Sequence, residues 1–116
     1  MAAMREPTFL ILAALAAQPL HGYGVIQEVD ALSEGRVRLQ AGTLYAALDR
    51  LVAEDLVEPD RDEVVDGRQR RYYRLTDRGV GALNADMVRQ QQNLTAAAQR
   101  LRARQTPLGL ITIQPA

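Results

Sequence analysis

Five arginines fall between Arg68 and Arg78 (Arg68, Arg70, Arg71, Arg74 and Arg78), with Asp77 as the one acid among them. The stretch before them inverts that balance, with seven acids from Glu54 to Asp66 against the single basic residue Arg61. Arginine presents a flat fork of donors that matches a phosphate or the edge of a guanine, so the later stretch has the chemistry to hold nucleic acid. The two stretches flank Asp66-Gly67, a dipeptide suited to a tight hairpin turn that needs positive φ. Part of the charge should therefore pair across a hairpin as a solvated ladder. Arg68 and Arg70, near the tip with Gln69 between them, have less acidic company and are expected to reach phosphate.

Few other groups could do chemistry. The absence of cysteine excludes disulfides and thiolate metal sites. His21 and Ser33 are the sole residues of their types, and no motif brings them into a triad with an acid. Both suit caps and turns, so the chain is not expected to be an enzyme, and neither cofactor nor metal is expected. A net charge of 0 decides little, because a nucleic-acid binder is betrayed by where its charges sit.

The elements that must position these groups follow from periodicity. At 116 residues one domain with a modest core is expected. Pro7–Gln18 reads as a first helix, apolar almost all round and therefore central. Arg5 ahead of the run Phe9–Ala17 resembles a signal peptide, but Glu6 cancels the charge and Pro7 suits a first helical turn. The run is also far short of the roughly 20 residues a bilayer needs, so a cytoplasmic protein without a membrane partner is expected. A second helix should begin at His21 or Gly22 and bury Tyr23, Ile26, Val29 and Leu32. Ser33-Glu34-Gly35 stops it, with Gly35 in the left-handed conformation, and Arg36–Leu39 alternates like a short strand.

A third helix over Gly42–Glu54 buries Leu44, Leu48, Leu51 and Val52, leaving Gly42, Thr43, Ala46, Asp49, Arg50 and Ala53 outward. The hairpin runs from Leu56 to Val65, where Pro59 marks an edge or irregular strand, and returns from Gln69 to Leu75 with Tyr73 on the core side. Thr76 caps a final helix on which Val80, Met87, Leu94 and Leu101 fall seven apart, with Leu83 between. So small a domain offers that stripe no partner, which implies a second chain; folding back on the first helix is the alternative. Residues 106–116 form an apolar tail broken by Pro107 and Gly109, readable as a strand, a loose end or the cover of a pocket. The fold class expected is mainly α with a small β-hairpin, a winged helix-turn-helix over residues 1–76 followed by a dimerisation helix over 77–105. In that arrangement a helix enters the major groove while the wing reaches the backbone or minor groove beside it.

Four fragments, in order, resemble the PadR family of bacterial transcriptional regulators: Leu20-His21-Gly22-Tyr23, Gly42-Thr43-Leu44-Tyr45 with Leu48 and Arg50-Leu51, Asp55-Leu56-Val57, and Gly67-Arg68 through Arg71-Tyr72-Tyr73-Arg74-Leu75-Thr76 with Gly79. The resemblance covers Phe9 to Arg104, and the length after Thr76 looks like the short subgroup with a single C-terminal helix. It implies a homodimeric repressor on a palindromic double-stranded DNA operator, often relieved by a small aromatic or drug-like effector. Members commonly carry Ser-Pro where this chain has Gln40-Ala41, and Pro where it has Ala46. Gln40 caps a helix less well than Ser but adds an amide able to read a base edge or phosphate.

On that basis Gln40, Thr43, Tyr45, Arg50, Arg68, Gln69, Arg70 and Tyr23 are the DNA-binding candidates. Thr43 and Tyr45 would set register on phosphates, although Tyr45 also reads as partly buried. Arg50 is the outer-face candidate for a base or backbone, its alternative being an ion pair with Glu54. Tyr23 reads first as packing and second as a hydroxyl on a phosphate. Val80, Leu83, Met87, Leu94 and Leu101 are the dimer candidates. An effector pocket is expected between the last helix and the first across the dimer, with Phe9, Met4 and Met87 as lining. A winged-helix protein-interaction or ligand-binding module without DNA binding is the rival reading.

Overall fold

The computed structural model describes residues 3–105, so the tail expected over 106–116 lies outside the described residues. The order is α1 (Glu6–Ala16), β1 (Leu20–His21), α2 (Gly22–Leu32), α3 (Ala41–Ala53), β2 (Val57–Val65), β3 (Arg68–Leu75) and α4 (Asp77–Gln105). Pro7 occupies the start of α1, where its missing N–H costs nothing, and Ile11, Leu12, Ala14 and Leu15 are buried along the helix.

The buried side of α2 is Gly22, Val25 and Val29, not the series through Tyr23 and Leu32. Residues three apart on an α-helix fall back by about 60° at each step, so Tyr23 and Leu32 stand on opposite sides of it. Both are exposed, Tyr23 at 60%. The α2 helix ends in paired backbone bonds from Glu34 N–H to Ala31 O (3.1 Å) and Gly35 N–H to Asp30 O (2.8 Å). Gly35 is left-handed as expected, and Glu34 joins it with φ 53°.

Arg36–Leu39 is not a strand. The Ser33 hydroxyl takes the Val37 N–H at 2.9 Å instead, satisfying this loop from a side chain. The third strand is Leu20–His21, which pairs antiparallel with Tyr73 and Tyr72, making the sheet order β1-β3-β2. β3 is thus central. Asp66 and Gly67 turn the hairpin with φ 51° and 76°, and a bulge between Pro59 and Asp62 interrupts the ladder. Tyr73 faces the core as its alternation requires, at 6% exposure.

α3 buries Leu44, Leu48 and Leu51 completely, and Val52 partly. Its end repeats the α2 device, with Leu56 N–H bonded to Leu51 O at 2.9 Å and Asp55 left-handed at φ 61°. Thr76 caps α4, accepting the Gly79 N–H at 2.9 Å while donating its hydroxyl to Asp55 O at 2.6 Å. A methyl at Gly79 would run into the Leu56 carbonyl oxygen, so this position needs glycine for the helix to seat.

Two compact units divide between Asp86 and Met87. The first therefore holds the winged helix together with the opening turns of α4, beyond the boundary expected at residue 76. Leu83 is 8% exposed and belongs to this unit's own core, which removes it from the exposed stripe. Val80 in the first unit, and Met87, Leu94 and Leu101 in the second, are all more than half exposed. Phe9 and Met4 pack partly buried against the core of the first unit. No helix among the described residues is long and apolar enough to cross a membrane.

Candidate nucleic-acid interface

Three separate segments meet beside the wing. The start of α2, the first turn of α3 and the front of β3 enclose an open cleft of about 360 Å³. Tyr23 and Tyr45 stand on its helical side, and Arg68, Gln69 and Arg70 on its strand side. Five of the eight DNA-binding candidates are thus brought together. Gln40 and Thr43 are exposed at the start of α3, and no side-chain bond caps that helix at Gln40.

The position of Tyr45 depends on a residue with no side chain. A Cβ at Gly22 would meet the Tyr45 phenol, so the glycine lets the ring lie against the first turn of α2. The hydroxyl end of the ring is the part nearest Gly22, and Tyr45 stays 45% exposed there.

His21 and Arg71 also line the cleft, and neither stands out for that place in the sequence. His21 is the cap residue of α2, its Nδ1 accepting the Gly24 N–H at 3.2 Å. A neutral imidazole has one lone pair, so that bond places the proton on Nε2. Nε2 then lies 3.4 Å from Arg70 Nη1, donor against donor. Burial first, and the Arg70 charge second, hold the His21 pKa below its ordinary value, with Glu63 opposing weakly. An acceptor placed between Nε2 and Arg70 would satisfy both donors at once. The only sequence signal for His21 is its place directly before Gly22-Tyr23.

The wing arginines sort into two sets. Arg71 pairs with Asp62 at 3.2 Å, and Arg74 with Glu58 and Asp60 at 2.9 Å each. Gln69 donates to Asp62 at 2.9 Å. Arg68, next to the turn and opposite Val65, has no side-chain hydrogen bond or ion pair among the described residues. Such a guanidinium is free for phosphate without breaking any intrachain pair.

Arg50 is placed differently from the other candidates. Its guanidinium donates to the Thr8 hydroxyl at 3.1 Å and pairs with Glu54 at 3.6 Å, facing a separate cavity beside α1 and α4. The i,i+4 pairing with Glu54 is the alternative recognised in the sequence, and it holds.

Three helices with a three-stranded wing, and an arginine-edged cleft between the recognition helix and that wing, define a winged-helix DNA-binding fold. The model of the transcriptional regulator PadR-like family matches residues 11–85, and the chain belongs to that family of transcription regulators. A transcriptional regulator of Mycobacterium tuberculosis is 43% identical over 76 residues, covering 66% of this chain and 67% of its own length. A PadR family regulator from Clostridium difficile superposes with a TM-score of 0.70 at 23% identity, covering 84% of this chain and 99% of the other. Bacillus subtilis PadR, solved in complex with operator DNA, superposes with a TM-score of 0.65 at 21% identity over 72% of this chain and 48% of that one.

Proposed function

We propose that this chain is a cytoplasmic homodimeric repressor that binds a palindromic operator and leaves it when a small molecule binds. The observation that carries the DNA reading is the convergence of Tyr23, Tyr45, Arg68, Gln69 and Arg70 on one cleft at the mouth of α3. The start of α3 would enter the major groove, with Gln40 and Thr43 nearest the bases or the first phosphate. The wing would straddle the adjacent backbone through Arg68 and Arg70, and the hydroxyls of Tyr23 and Tyr45 would hydrogen-bond phosphates. Arg50, held by Thr8 and Glu54, is better suited to fixing α3 against α1 than to reading a base.

Dimerisation is supported by the exposed leucines and methionine of α4. Met87, Leu94 and Leu101 recur every seven residues along α4, the pattern of a coiled-coil seam. Two copies related by a two-fold axis would set their recognition helices about 34 Å apart, one turn of DNA. An effector acts by favouring a dimer geometry in which that spacing is wrong.

The test is a titration of the purified protein against its own upstream DNA and a random duplex at several salt concentrations. Selective binding with a steep salt dependence is expected. Equal affinity for both duplexes, with no preferred site in a genomic fragment pool, would overturn the repressor reading in favour of a protein partner.

A further inference from the structure

A second and larger concavity, of about 820 Å³, opens on the winged-helix unit between the chain's first residues, the end of α3 and the start of α4. Ligand pockets of drug-sized molecules span roughly 300–1,000 Å³. Three guanidinium groups, Arg5, Arg50 and Arg78, line it against one carboxylate, Glu54. Glu54 is already engaged by Arg50 at 3.6 Å, and neither Arg5 nor Arg78 has a side-chain partner among the described residues. Between the charges the wall is apolar, formed by Met4, Leu56 and Ala82. An anion placed here would take charge-assisted hydrogen bonds from guanidinium groups that have no carboxylate of their own.

We propose that this cavity is a binding site for a small organic anion with an apolar body, its charge held by Arg5 and Arg78 and its body resting on Met4, Leu56 and Ala82. As the seat of an effector the site rests on the regulator reading above; as a seat for an anion it stands alone. Arg50 belongs to α3, so an occupant of this cavity touches the recognition helix without touching the DNA cleft. A second copy of the chain does not supply the missing charge through its distal helix. Residues 87–116 contain Arg89, Arg100, Arg102 and Arg104 and no acid. A DNA backbone could supply phosphate, but it would leave the apolar wall uncovered.

Anilinonaphthalene sulfonate, an aromatic anion, is the probe, with uncharged N-phenylnaphthylamine as the matched control. Fluorescence titration of the full chain should show saturable sulfonate binding at one site per chain. The Arg5→Gln/Arg78→Gln double variant should weaken the sulfonate by at least about tenfold, the worth of a charge-assisted hydrogen bond, and leave the uncharged dye unchanged. Both arginines are exposed and have no side-chain partner among the described residues, so the variant should keep the wild-type circular dichroism. Its salt slope on a random duplex should also match wild type. Equal weakening of both dyes, or of neither, overturns the proposal. A salt slope lowered by about two units would assign these arginines to the DNA backbone instead. Absence of saturable sulfonate binding overturns it as well. If DNA binding itself fails, the regulator reading falls while the dye comparison still decides this site.

Discussion

Arg68→Ala separates a phosphate-binding arginine from a structural one. Arg68 is exposed beside the Asp66-Gly67 turn and has no side-chain partner among the described residues, so its removal should leave folding untouched. Each phosphate neutralised contributes about 0.9 to the slope of log K against log salt. Freeing one phosphate per chain therefore lowers the slope by about 0.9 for each subunit bound, or about 1.8 for a dimer on a palindrome. Between roughly 50 and 200 mM salt, that amounts to about 3.5-fold less salt sensitivity per chain and about 12-fold per dimer. The weakening should be nearly equal on operator and random duplex, because a phosphate carries no sequence. Arg71→Ala is the internal control: its guanidinium already pairs with Asp62 at 3.2 Å, so the slope should stay close to wild type. Fluorescence anisotropy at four or five salt concentrations measures all three proteins. An operator-selective weakening with an unchanged slope for Arg68→Ala would refute the assignment and place Arg68 on a base edge.

The other expectations concern the parts that hold the cleft. Gly22→Ala should push the Tyr45 phenol from its seat and weaken DNA binding about tenfold, the worth of a hydrogen bond to a charged group, with little change in the urea midpoint; unchanged affinity would show that Tyr45 does not touch DNA. Thr76→Ala removes the α4 cap and should cost about 1 kcal/mol in urea unfolding, whereas a neutral result would mean that water replaces the hydroxyl. Leu94→Glu should raise the dimer dissociation constant by about 100-fold or more, since each dimer would give up two buried leucines, and sedimentation at micromolar concentration should then show monomer. A dimer that persists would move the interface elsewhere. His21 has its pKa depressed in the folded state from 6.5, so its contribution to stability is present above that value and lost as pH falls through the folded pKa. The wild type should lose more stability than His21→Gln as the pH falls from about 7 towards 5; parallel curves would clear His21 of that role.

What could be read along the chain was whatever neighbours in sequence decide among themselves. Pro7, Thr76, the Asp66-Gly67 turn and Gly35 act within a few residues, and each did in the fold what its chemistry required. Strict alternation along β3 likewise settled that Tyr73 turns inward. The arginine excess after the turn was legible as charge, because charge needs no fold to be counted.

Tertiary structure decided everything that needed a second element to choose. Several apolar residues on α2 competed for the core: helix geometry already parts Tyr23 from Leu32, and the placement of α1 and α3 then chose the side of Val25 and Val29. Leu20–His21, too short to show as a strand, became one by pairing with β3, and Arg36–Leu39 stayed a loop tied to the Ser33 hydroxyl. Leu83 left the α4 stripe for the core of its own unit. Arg50 was drawn aside by Thr8, a residue of α1 far away in sequence. The cleft itself joins His21, Tyr45 and Arg70 from three segments. Local propensity carries no information about such meetings, because their free energy comes from neighbours that exist only once the elements have packed.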